Sequence, residues 1–135
     1  MVILGRYSEY VYAIFRIVFG FLLLVHGTQK FFDIPAAKQP IGSLTGMLLV
    51  AAIIELVCGF LVLIGFFSSL AAFIAAGEMA VAYFTVHQLI APLPIQNGGE
   101  PAVAYCFVFL YIAARGSGIL SVDGMMRGSR ASAVT

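Results

Sequence analysis

Charge is what this sequence has least of. Of its 135 residues only 7 are Lys or Arg and 6 are Asp or Glu, 10% of the chain, while 62% are hydrophobic. Soluble domains carry about 25% charged and about 45–50% apolar residues, so too little polar surface is left here to cover a water-facing globule. A soluble fold is excluded. The net charge is +1 and no two basic residues are adjacent, which leaves no electrostatic footprint for nucleic acid. Cysteine is scarce as well: Cys58 and Cys106 form neither a CxxC nor any metal-ligand spacing. Their expected depths in a membrane differ by about 12 Å, whereas disulfide-linked Cα atoms lie about 4.4–6.8 Å apart. Neither low-complexity tracts nor an internal repeat is present, so a transporter built from two halves is not indicated.

What the sequence does have is long apolar runs. A spanning helix needs about 20 apolar residues, and four such helices account for nearly the whole chain. The expected spans are residues 10–31, 44–66, 69–87 and 101–115, making an all-α fold: a four-transmembrane-helix bundle in a single membrane domain, 1–135. A short amphipathic lead, residues 5–9, precedes the first span, and no cleavage-site pattern follows it. Asp33, Pro35, Lys38, Pro40 and Gly42 break the chain between the first two spans. Gly65 to Ser69 make the tight turn of a hairpin, with Ser68 or Ser69 as N-cap of the third span. Glu100–Pro101 suits the first turn of the fourth, since Pro needs no N–H there and Glu complements the helix dipole. Residues 124–135, rich in Gly, Ser and Ala, read as a flexible tail. Arg6, Arg115, Arg127 and Arg130 on one side outnumber Lys30 and Lys38 on the other. The expected placement is therefore an inner membrane with both termini cytoplasmic.

Three ionisable residues fall deep within spans: Arg16, Glu55 and Glu78. Counting about 1.5 Å of rise per residue puts them at similar depth. An unpaired charge there costs about 2.5–3.5 kcal/mol, so the three are expected to face one another inside the bundle. One Arg for two Glu leaves a carboxylate over, and Glu55 and Glu78 become candidate proton carriers. Small residues beside the charges, Gly20, Gly27, Gly59 and Ala75 among them, allow close helix approach or room for a head group. The plainer alternative is that the charges pin helix register and do no chemistry. A second polar layer gathers at the other end, with His26, Gln29, Lys30, His87, Gln96, Asn97 and Glu100. His26 and His87 at equal depth invite comparison with the axial pair of haem b. Two histidines alone make a thin case, because an interfacial His is ordinarily a solvated helix-end residue. Tyr83 and Tyr105 carry hydroxyls that need partners and suit a quinone carbonyl.

In order along the chain, Arg16 with Gly20, then His26–Gly27, Lys30–Phe31, Glu55 with Gly59, Gly65, Asn97–Gly98–Gly99–Glu100, and Gly116–Ser117–Gly118 running to Asp123 resemble the DoxX family of small four-span membrane proteins. The resemblance covers roughly residues 16–123. It implies membership of, or association with, membrane oxidoreductase complexes, since the family is named for a subunit of an archaeal thiosulfate:quinone oxidoreductase. Arg16, His26, Lys30, Glu55 and Glu100 match its polar pattern.

Three functions compete. The first is a quinone-interacting or accessory subunit of an electron-transfer assembly, in which Arg16, His26, Lys30, Tyr83, Glu100 and Tyr105 are ligand candidates and Glu55 or Glu78 exchanges protons. The sequence has no Fe–S cysteine cluster and no dinucleotide fingerprint, so other membrane or peripheral subunits must supply electrons. The second is a purely structural subunit of a larger membrane complex. The third, a small-solute or proton pathway, is opposed by the apolar stretch from Phe21 to Val25 that separates the two polar layers.

Overall fold

The structure, a computed structural model, describes residues 2–38 and 41–132, with side chains through residue 129. After a single 3-10 turn, Gly5–Tyr7, come α1 (Ser8–Phe32), α2 (Gly46–Ile64) and α3 (Ser68–Ala82), which continues into a π-helical turn, Tyr83–His87. Then follow the short α4 (Pro94–Asn97), α5 (Glu100–Arg115) and α6 (Val122–Ser132). No strand occurs among the described residues, and helices α1, α2, α3 with its π turn, and α5 occupy the stretches in which spans were expected, without that making each of them a span. Three of these are long and apolar enough to cross a membrane: Gly5–Phe32, Gly46–Ile64 and Ser68–His87. At 16 residues, α5 rises only about 24 Å.

Each long helix divides into two faces. On α1 the buried positions Tyr12, Arg16, Gly20, Leu23 and Gly27 recur every three or four residues, while Val11, Ile14, Val18 and Phe21 lie exposed between them. On α2, Val50, Ile53, Val57 and Phe60 make a matching outer stripe. In water such stripes would be a severe liability; against lipid tails they are solvated.

Helix pairing follows from small residues on the inner faces. A Cβ on Gly20 would stand 2.5 Å from the Leu63 nitrogen, one on Gly27 2.5 Å from that of Leu56, and one on Gly59 2.4 Å from that of Leu24. The α1/α2 seam is thus an antiparallel contact of backbone on backbone, as close as helices come in a membrane. Ala71, Ala72, Ala75 and Ala76 line α3 for its close packing with α5 and α2. The backbones of α1 and α5 stand farther apart, and rings fill the space: Tyr12 and Phe15 pack on Tyr111, and Phe19 on Tyr105.

The seam also sets an offset. Gly20 lies beside Leu63, one residue short of the end of α2. Most of the stretch from Ser8 to Gly20, about 18 Å of helix, therefore runs past that end. Residues 116–123 fold back to cover it: Tyr12 donates its hydroxyl to the Gly116 carbonyl, and the Asp123 N–H reaches the Gly65 carbonyl at 3.0 Å. We call this the terminal end of the bundle, and the opposite one, with Lys30 and Asn97, the loop end. Where a flexible tail was expected from residue 124, the chain to Ser132 is helical in α6. Its first turn is held by the Ser121 hydroxyl accepting the Gly124 N–H at 3.1 Å, a capping bond that the Gly- and Ser-rich composition conceals. Residues 133–135 of that tail lie outside the described residues.

The seam makes a direct prediction. Gly59→Ala drives a methyl into the α1 backbone and should lower stability by about 1–3 kcal/mol, read as a fall in Tm of the detergent-solubilised protein. Gly77→Ala, on the same scaffold but with nothing within 4 Å of the new Cβ, should not lower it. Equal effects of the two changes would contradict the seam.

Candidate functional site

Arg16 is fully buried, and its guanidinium gathers backbone carbonyls. Nη1 donates to the carbonyls of Val62 (2.7 Å) and Leu63 (2.9 Å), and Nη2 to those of Leu120 (2.7 Å) and Ile119 (3.5 Å). The last carbonyls of a helix have no intrahelical donor, and a cation beside them also complements the dipole. Gly65 ends α2 at φ 73°, and a Cβ there would stand 2.3 Å from Ser121 Cβ and 2.9 Å from Arg16 Nη1. Arg16 therefore clamps the α2–α3 turn to the 116–123 segment.

This corrects the expectation that Arg16 faces Glu55 and Glu78 at one depth. The two ion pairs among the described residues are Lys30–Glu55 and Arg115–Glu9, and neither includes Arg16. Its electrostatic neighbours are Tyr12 and Asp123. The physical reason is the offset of α1: depth counted from a shared span boundary puts Arg16 at mid-bundle, whereas the seam puts it level with the C-terminus of α2.

The carboxylates meet Lys30 instead, 14 residues and about 21 Å farther along α1. Lys30 Nζ lies 2.7 Å from Glu55 Oε1, and the Glu55 side chain is only 4% exposed. Glu78 acts electrostatically on this pair and on the buried Cys58 thiol. Glu55 Oε2 and Glu78 Oε2 are both buried with no hydrogen-bond partner. One ammonium thus pairs with Glu55 while Glu78 feels it only electrostatically, and two acceptor oxygens remain without a donor. The Lys30 side chain, 24% exposed, links the pair to an open cavity of about 510 Å³ at the loop end, which Gln29, Asp33 and Lys38 also line.

The other sequence candidates divide among separate clusters. His26 is exposed on α1 and packs its ring against Tyr105, with centroids 5.8 Å apart. Tyr83 and His87 bracket the π turn, their rings stacked at 6.5 Å. His87 Nδ1 lies 3.1 Å from the Asn97 carbonyl oxygen. The two histidines weighed as a haem pair thus sit in different clusters, one with Tyr105 and one with Tyr83. Glu100 is exposed in the first turn of α5, where its carboxylate complements the helix dipole. Asn97, which the sequence places in the second polar layer without a ligand role, is the hub here. Its amide donates to the Ala91 carbonyl (2.9 Å) and the Tyr83 hydroxyl (3.4 Å), while its Oδ1 accepts from the Gly99 N–H (2.8 Å). The signal for it was the Asn–Gly–Gly run, since Gly99 packs against the Tyr83 ring where a side chain has no room.

The DoxX family model matches residues 11–88, which include α1, α2, α3 and the π turn, and with them Arg16, Lys30, Glu55 and Glu78. The chain belongs to the DoxX family. A Haemophilus influenzae protein described only as uncharacterized is 40% identical over 127 residues, covering 89% of this chain and 93% of its own. No solved structure matches. This DoxX protein is accordingly an integral membrane protein in contact with lipid, as its apolar helices require.

The two polar sites should behave independently. In a double-mutant cycle read by unfolding in detergent, Arg16→Met and Glu55→Gln should add to within about 0.5 kcal/mol, as separated sites do. Lys30→Met and Glu55→Gln, which share one ion pair, should couple by about 0.5–3 kcal/mol. Coupling of Arg16 to Glu55 as large as that of Lys30 would restore the single-cluster arrangement.

Proposed function

We propose that this DoxX protein serves a membrane oxidoreductase assembly as a quinone-interacting subunit, with Lys30, Glu55 and Glu78 as its proton-handling site. The observation that carries the reading is the pair of buried oxygens, Glu55 Oε2 and Glu78 Oε2, that have no donor. A hydroquinone brings two hydroxyl donors, and its oxidation releases two protons and two electrons. Carboxylates that already accept its hydroxyls are placed to take the protons. Lys30 then releases a proton of its ammonium to the loop-end cavity that it lines and regains one from a protonated carboxyl. On this reading the electrons leave to a partner subunit, which is the oxidant of the step. His26 and Tyr105, side by side between α1 and α5, are the proposed outer contacts for the ring.

On this reading α5 crosses the membrane as a fourth span, and the terminal end, with Arg6, Arg115 and Arg127, faces the cytoplasm of an inner membrane. A structural role is favoured for Arg16 in particular, because its bonds go to backbone carbonyls and to no group that could carry a substrate proton.

Titration of the purified protein in detergent with a short-chain hydroquinone tests the site. Wild type should bind, and Glu55→Gln and Glu78→Gln should each weaken binding about tenfold, the loss of one charge-assisted hydrogen bond. Negligible binding by wild type, unchanged in both variants, removes the quinone role and leaves the protein as a packing subunit.

A further inference from the structure

At the terminal end, away from Lys30 and its carboxylates, α3 begins with nothing to cap it. Its N-cap is Phe67, whose side chain makes no capping bond, and no acidic residue stands in the first turn. The Ala71 N–H is bonded to the Phe67 carbonyl at 3.1 Å, so the N–H groups of residues 68–70 precede the first helical bond. Such groups, together with the positive end of the helix dipole, attract anions. A second and independent feature lies in the same place. Ser68 is fully buried, its Oγ has no hydrogen-bond partner, and it lines a cavity of about 530 Å³. Buried hydroxyls are nearly always partnered, so this one awaits an acceptor.

The rest of the cavity fits the same guest. Arg127, exposed on α6 and in no ion pair among the described residues, lines it too, and Ser69 adds a second hydroxyl. The one carboxylate on the lining, Asp123, already accepts the Ser117 hydroxyl at 2.5 Å. The rim is apolar: Phe67, Leu70 and Met126 are 60%, 61% and 45% exposed. Because a helix of spanning length starts at Ser68, this cavity lies where the hydrocarbon core gives way to head groups. We propose that it binds the phosphate of an anionic phospholipid. The phosphate oxygens accept from the first N–H groups of α3, from Ser68 Oγ and from the Arg127 guanidinium, and the acyl chains lie along Phe67 and Leu70. The site is independent of the quinone reading, being at the other end of the bundle.

Native mass spectrometry of the full chain, extracted from bilayers of phosphatidylcholine with phosphatidylglycerol as the minor component, tests the proposal. Wild type should retain one phosphatidylglycerol in preference to phosphatidylcholine. Arg127→Gln, a change on an exposed side chain, should cut that retention about tenfold, and Arg127→Lys should restore part of it. Ser68→Ala is the sharper variant. It removes a hydroxyl that has no protein partner, so a merely structural Ser68 predicts unchanged or higher Tm with unchanged lipid retention. The proposal predicts unchanged or higher Tm in lipid-free detergent with retention lowered severalfold. Displacement of the lipid by millimolar inorganic phosphate would show that the phosphate alone is recognised, and resistance to it that the chains contribute. Retention unchanged in both Arg127→Gln and Ser68→Ala, or no preference for phosphatidylglycerol in wild type, overturns the site.

Discussion

A carbonyl left over at the end of a helix and buried from solvent has no water to turn to, and Arg16 is the answer this chain gives. Four carbonyls from two distant stretches converge on one guanidinium, which offers five donors in a fixed plane where an ammonium offers a single point. The turn between α2 and α3 and the return of the chain after α5 are held to α1 by the same group. Without it the α2 carbonyls and those of Ile119 and Leu120 would have to find other donors in an apolar setting, at a cost of about 1–3 kcal/mol for each one left bare. Gly65 and Gly118 then read as clearances: the first lets Ser121 and Arg16 approach the turn, the second gives room to the Tyr12 ring.

The contrast between the two ends of the bundle is one of satisfaction. At the terminal end the buried cation is fully engaged, apart from its Nε, by atoms that cannot move far. Around Lys30 the balance is open, with one cation, two carboxylates and two oxygens lacking donors. Buried polar groups left half-satisfied lower stability, and proteins tolerate them mainly where a guest or a proton completes them. The same reasoning separates Ser68, a lone buried hydroxyl beside a cavity, from Ser117 and Ser121, which are equally buried but have partners in Asp123 and Gly118. Burial alone thus distinguishes none of these residues; the missing partner does.

The helices were legible because apolar runs of 16–25 residues admit few alternatives, and Pro92, Pro94 and Gly99 punctuate them plainly. The identity of the buried charges was legible too, since a membrane makes every one of them conspicuous. Their partners were not. Pairing depends on the offset between neighbouring helices, and that offset is set by Gly20, Gly27 and Gly59, whose mutual register cannot be deduced from spacing within one helix. A shift of α1 along α2 is enough to exchange Arg16 for Lys30 as the partner of Glu55. The hub role of Asn97 was not legible for a different reason: its partners, Tyr83, Ala91 and Gly99, come together only once the chain has turned back after His87. The helix at Val122–Ser132 was hidden by composition, because Gly and Ser lower helix propensity while the Ser121 cap that starts it is a single residue.

The bundle's four interfaces also differ in mechanical character. Between α1 and α2 backbone rests on backbone, and between α3 and its neighbours alanines do nearly the same, so those joints cannot part without losing contact along their whole length. Between α1 and α5 the spacers are rings on rotatable bonds: Phe15, Phe19, Tyr105 and Tyr111, with His26 at the edge. Rotation about χ1 and χ2 lets those rings repack, an adjustment that backbone resting on backbone does not offer. The ring of helices is therefore a stiff three-sided frame, of which the glycine seam is the tightest joint, with one compliant side.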